Sequence, residues 1–155
     1  MGDIKNSLEE QICSVASRFN EITKDKEIQI ISHFDTDGIS SATIIIKALR
    51  RLDKKFSLMI VKGLEEHHVY NLKRDKVTLF VDLASNSLNY IESAGLENVF
   101  IIDHHEISQK VPESVRIINP HFHGNEKLSS SSLAYLFAKE LDKKNSDLAK
   151  LAILG

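Results

Sequence analysis

Seven side chains of the kinds that bind metals or move protons follow three apolar runs. IQIIS leads into His33, Asp35 and Asp37, VTLFV into Asp82, and NVFII into Asp103, His104 and His105. A lone aspartate after a strand is usually a cap or turn residue, but three such groups in succession point to one site. Carboxylates and imidazoles suit hard or borderline divalent cations such as Mn2+ or Mg2+. Carboxylates gathered together repel, and a dication relieves that repulsion. Two cations about 3.5–4 Å apart can share a carboxylate, bind a phosphoryl oxygen and activate water. Asp82 stands between the other two groups in sequence and is the candidate for the shared ligand. Gly38 lets the chain turn after Asp37, and a helix expected from Ser40 would offer backbone N–H groups to a phosphate.

Parallel strands would bring the three groups to one edge. The apolar spacing from Ile4 through Ile22 predicts an amphipathic helix within residues 1–25. Strands are expected at KEIQIIS, FSLMIVKG (56–63), VTLFVD, NVFIID and VRIIN (115–119), with helices over 40–51, 64–74, 87–94 and 130–144 and again from Ser146. The strands read as continuous apolar runs, the pattern of strands buried on both faces. Alternation with helices then implies an α/β fold: a doubly wound, mostly parallel sheet of about five strands. Ligands of such sheets bind outside the carboxyl ends of the strands.

Length and composition fit this reading. The chain has 155 residues and 42% hydrophobic content, enough for one domain with a real core. Twenty basic and twenty-two acidic residues leave a net charge of −2, which argues against a charge-driven nucleic-acid or membrane coat. The single cysteine, Cys13, excludes an intrachain disulfide or cysteine zinc cluster and reads as a small core residue. No apolar run nears the roughly 18 residues of a membrane span, and the N-terminus lacks a signal-peptide stretch. The expectation is a soluble cytoplasmic protein. The sequence holds no G-x-x-x-x-G-K-S/T, G-x-G-x-x-G, G-x-S-x-G or H-E-x-x-H motif. His67 and His68 read as a solvated helix start, and His121 and His123 as a surface turn. Ser129 to Ser132 read as a helix cap, and Lys47, Arg50, Arg51, Lys54 and Lys55 as a solvated helix end.

HFDTDGISSA, VDLAS and IIDHH, in that order, resemble the first three motifs of the DHH phosphoesterase superfamily, closest to its RecJ-like branch. The resemblance covers roughly residues 28–155. It implies a two-Mn2+ phosphodiesterase, with Mg2+ as the alternative ion, most simply a single-strand nucleic-acid exonuclease. Asp35 and Asp37 match metal ligands, Asp82 the bridging aspartate, and His104 the metal-binding histidine. His105 matches the catalytic group that faces the substrate phosphate, and Asp103 the group that orients the site. His33 stands two residues before Asp35, as a further ligand or a pocket-lining residue; many relatives carry histidine four before, where this chain has Ile31. Ser130 lies in a region near the family's site, where a phosphate contact is implied.

The resemblance also implies departures. The family's fourth-motif aspartate follows an L-x-x-L-G-like segment, and this chain reads LAILG at its end. The expectation is an N-terminal catalytic domain (1–155) cut before its last ligand and lacking the substrate-gripping domain, hence weak or inactive alone. Single-stranded DNA or RNA, and replication or repair proteins, are the implied partners. Two alternatives remain open: a nonenzymatic replisome scaffold related to RecJ, and a small-molecule phosphatase of the pyrophosphatase or cyclic-dinucleotide type.

Overall fold

The structure, a computed structural model, describes residues 7–124 and 127–155. Its elements are α1 (Leu8–Ile22), β1 (Ile28–His33), α2 (Thr36–Arg51), β2 (Phe56–Val61), α3 (Glu66–Tyr70), β3 (Val77–Val81), α4 (Leu88–Ser93), β4 (Val99–Ile102), β5 (Val115–Ile118), α5 (Ser130–Leu141) and α6 (Ala149–Ala152). Short 3-10 helices span Pro120–His123 and Lys143–Leu148. The five strands form one sheet of order β2-β1-β3-β4-β5, parallel at every pairing. The order reverses between β1 and β3, so their carboxyl ends open at a topological switch point.

Each face is covered as the apolar pattern demands. Helix α1 starts at a reciprocal Ser7–Glu10 capping box and buries Leu8, Ile12, Val15, Ala16 and Phe19 along one stripe. With α2 and α5 it covers one face, where Phe19 meets Phe100 and Phe137 edge-on at 5.1 and 5.4 Å. Val69 of α3 and Leu88 and Ile91 of α4 cover the other. Ile4, the first residue of the expected N-terminal stripe, lies outside the described residues. No described helix is long and apolar enough to cross a membrane.

Four expectations need correction. Helix α2 begins at Thr36, not near Ser40, because Asp35 caps it by accepting from the Gly38 N–H at 2.9 Å. Strand β2 is not buried on both faces: it is a sheet edge whose Leu58, Met59 and Ile60 stay exposed. Helix α5 stops at Leu141, where Asp142 turns extended and caps the next segment through Lys144 N–H. Cys13 is exposed, since its position on α1 lies off the buried stripe. The basic cluster also does more than face water. Arg51 clamps Asp147 with two 2.7 Å bonds, and Lys54 donates to the Thr23 carbonyl.

Gly38 is helical, so it is required by close approach and not by a turn. A Cβ there would overlap the carbonyl oxygen of His33. Gly38→Ala is therefore expected to push α2 off β1 and cost on the order of 1–3 kcal/mol in urea unfolding. Unchanged stability would show that the α2 start is free to shift.

Candidate metal centre

The ends of β1, β3 and β4 bring six of the seven groups into contact across the switch point. From β1, His33 Nδ1 lies 2.9 Å from Asp35 Oδ2 and 3.6 Å from Asp82 Oδ2. From the β4 end, His104 Nε2 lies 3.6 Å from Asp82 Oδ1 and 3.7 Å from Asp37 Oδ2. The donor atoms fall into two groups of three, His33–Asp35–Asp82 and Asp82–His104–His105, each set lying within 4.8 Å of one another. Asp82 is common to both. It is held in the left-handed region (φ 59°), a conformation unusual for a residue with a side chain.

Asp103, the seventh, joins this cluster through His105 and organises it. Its carboxylate is fully buried and accepts from the backbone N–H groups of Ser85, His104 and His105. It also accepts from His105 Nδ1 at 2.6 Å. The hydrogen bond and charge of Asp103 push His105 up to about 9, and the backbone and His105 contacts hold Asp103 below its ordinary value despite burial. Beneath it Asn119, fully buried, donates to Ser85 Oγ and the His105 carbonyl and accepts from His121 N–H. His121 in turn bonds the His104 carbonyl at 3.1 Å. Sequence reading passed over Asn119; its one signal was an Asn-Pro after a strand, at the register of the other site loops.

Asp37 stands beside His104 but outside the two donor groups. Its oxygens accept from the first N–H groups of α5, those of Ser130 and Ser131, at 2.9 and 2.8 Å. The Ser129 hydroxyl caps the same helix, as expected. Gly155 packs here too, since a Cβ on it would overlap Asp37 Oδ1 and Ser131 Oγ. Ser40 is buried in the second turn of α2, so its N–H is not a free helix-terminal donor. The Ser130 hydroxyl is buried and unpartnered. His67 and His68 sit at the exposed start of α3, away from the centre.

These residues fit a divalent cation for reasons internal to the molecule. Asp82 is 2% exposed, yet neither of its oxygens has a hydrogen-bond partner among the described residues. Burial, then the nearby Asp37, Asp35 and Asp103 carboxylates, push it up to about 7. His33 Nε2 lies 3.1 Å from the Lys62 carbonyl, which can only accept, so Nε2 carries the proton. The buried His33 Nδ1 then points at the Asp35 and Asp82 carboxylates, 2.9 and 3.6 Å away. A backbone carbonyl fixing one imidazole nitrogen so that the other can ligate is the usual support of a metal-binding histidine. Hard oxygen donors with imidazole nitrogens suit Mn2+ or Mg2+ better than softer thiophilic ions.

Fold and site together define a doubly wound α/β domain with a carboxylate–imidazole centre at its switch point. The chain belongs to the DHH family: residues 27–155 match the family's N-terminal domain. An uncharacterised protein of Methanocaldococcus jannaschii is 32% identical over 139 residues, covering 83% of this chain and 32% of that protein. The chain thus spans about a third of that relative's length. The fold is shared with the exonuclease RecJ bound to manganese, at TM-score 0.77 and 19% identity over 92% of this chain and 41% of RecJ. CDC45 from Entamoeba histolytica superposes at TM-score 0.62 and 21% identity, over 96% of this chain and 32% of that one.

Proposed function

We propose that this domain hydrolyses phosphodiester bonds with two divalent cations, and that its substrate is single-stranded DNA or RNA. The observation that carries the reading is Asp82, a buried carboxylate without a hydrogen-bond donor that two donor groups share. His33 and Asp35 would hold one ion with it, and His104 the other, with Asp37 alongside. When bound, the ions would supply Lewis acidity and a water of lowered pKa. His105 keeps Nδ1–H on Asp103, which leaves Nε2 to meet a phosphoryl oxygen. Without metal, the hydrogen bond and charge of Asp103 raise His105 to about 9, which favours an imidazolium toward an anionic substrate. Asp103 does not touch substrate in this reading; it positions His104 and His105. RecJ structures holding Mn2+ and Mg2+ support a divalent ion of this kind, and the exonuclease in RecJ's name supports a nucleic-acid substrate. The intact donor groups favour an enzyme over a scaffold.

The test is hydrolysis of end-labelled single-stranded DNA and RNA under single-turnover conditions, with the protein in excess. Slow Mn2+-dependent cleavage is expected, falling at least 100-fold in Asp82→Asn, since the two-ion arrangement depends on the shared ligand. Cleavage of pyrophosphate or a cyclic dinucleotide instead would move the reading to a small-molecule phosphatase. Metal binding without cleavage of any of these would favour the scaffold.

A further inference from the structure

Phe34 stands between two of the candidate ligands, His33 and Asp35, and it is the most exposed phenylalanine of the described chain. Its side chain is part of a residue 53% exposed, whereas Phe19, Phe80, Phe100 and Phe137 are fully buried. It is also rigidly placed. On one side His33 closes β1, pairs with Val61 of β2, and anchors its ring on the Lys62 carbonyl. On the other, Asp35 is fixed as the cap of α2. The Phe34 ring meets the His33 ring edge-on, with centroids 5.0 Å apart and planes at 81°. His33 Nδ1 is itself 3.6 Å from Asp82. An open aromatic face is thus held one side chain away from the centre of the site.

We propose that Phe34 is a stacking platform for the nucleobase next to the scissile phosphate. The inference rests on the phosphodiesterase reading above and narrows its substrate to a phosphoester that carries a base. A phosphoryl group held between Asp82 and His105 brings along whatever is esterified to it. In a nucleotide that is a sugar and a flat apolar ring, which can reach a platform set at this distance. Pyrophosphate and polyphosphate carry nothing that would use it. A phenyl ring has no hydrogen-bonding atoms, so it cannot read base identity or a 2′-hydroxyl. Recognition should therefore be sequence-tolerant and should favour the larger purine face.

The experiment compares a short, labelled oligodeoxyadenylate with its abasic counterpart of equal length and charge. Both carry hydrolysis-resistant phosphorothioate linkages, and binding is followed by fluorescence anisotropy in Mn2+. Wild type should bind the base-bearing strand about 10–100-fold more tightly than the abasic one. Phe34→Ala should lose that preference while binding the abasic strand unchanged, and Phe34→Tyr should keep it. Equal binding of the two strands by wild type, or equal weakening of both in Phe34→Ala, overturns the platform and leaves the nucleic-acid reading standing. No binding of either strand by wild type that still binds Mn2+ overturns both. Phe34 is exposed, so its variants should melt as wild type does.

Discussion

Replacing Asp82 by asparagine should stabilise the metal-free protein and abolish its response to Mn2+. The two effects have one cause. Asp82 is buried without a hydrogen-bond partner and pushed up to about 7. A carboxyl raised in the fold favours the folded state only while protonated. The Asp82 contribution to metal-free stability therefore falls as pH rises from the ordinary carboxylate range through about 7, and is flat above. At pH 8 the ionised group costs the fold a few kcal/mol, which the neutral amide removes. The melting temperature of metal-free Asp82→Asn should exceed that of wild type by about 2–4 °C for each kcal/mol recovered. Wild type should gain stability from Mn2+, increasingly so from pH 6 to pH 8 as the proton on Asp82 stops competing. The variant should gain almost nothing. Calorimetric melts of both proteins with and without Mn2+ check each arm; a metal-free variant less stable than wild type at pH 8 would contradict the account.

Asp103→Ala should be the most damaging change in the site. It leaves three backbone N–H groups and the half-exposed His105 ring without their fully buried acceptor. Removing one partner of such a buried charged network costs about 3–5 kcal/mol. For a chain of this size that is a melting temperature lower by about 10 °C. The pH dependence separates the charge from the packing. The depressed Asp103 contributes stability above its unfolded value of about 3.9 and loses it as pH falls through the folded value. The raised His105 contributes below its unfolded value of about 6.5, and that share is lost as pH rises through about 9. The stability gap between wild type and Asp103→Asn should therefore narrow between pH 6.5 and pH 9.5 in urea titrations. A constant gap would mean that the ion pair adds nothing to the hydrogen bonds.

Much of this site could be read before the fold. An apolar run ending in Asp82, and another ending in Asp-His-His, already place these groups at strand ends. Parallel order then brings them to one edge. The start of α2 was not legible, because Asp-Thr-Asp-Gly reads equally as a turn. Only the packing of Gly38 on the His33 carbonyl shows that the glycine sits inside the helix. The role of His33 was open for a similar reason: its offset from Asp35 differs from many relatives, and its Nδ1 faces the carboxylates only because the Lys62 carbonyl holds Nε2. Asn119 gives only the weak signal of an Asn-Pro after a strand, because it holds backbone and hydroxyl groups that become its partners only once β3, β4 and β5 align. Strand β2 looked like any buried strand, since composition carries no record of which strand ends at the sheet edge.

In the proposed site Asp82 serves two cations at once. The direct measurement is electron paramagnetic resonance of the protein titrated with Mn2+ at pH 8, where Asp82 is ionised. Bridging by one carboxylate couples the two ions, so the spectrum should change on the second equivalent from isolated Mn2+ to an exchange-coupled pair. In Asp82→Asn the coupled signal should be absent. A wild-type spectrum of isolated ions at every ratio, or a coupled pair that survives in Asp82→Asn, would contradict the account.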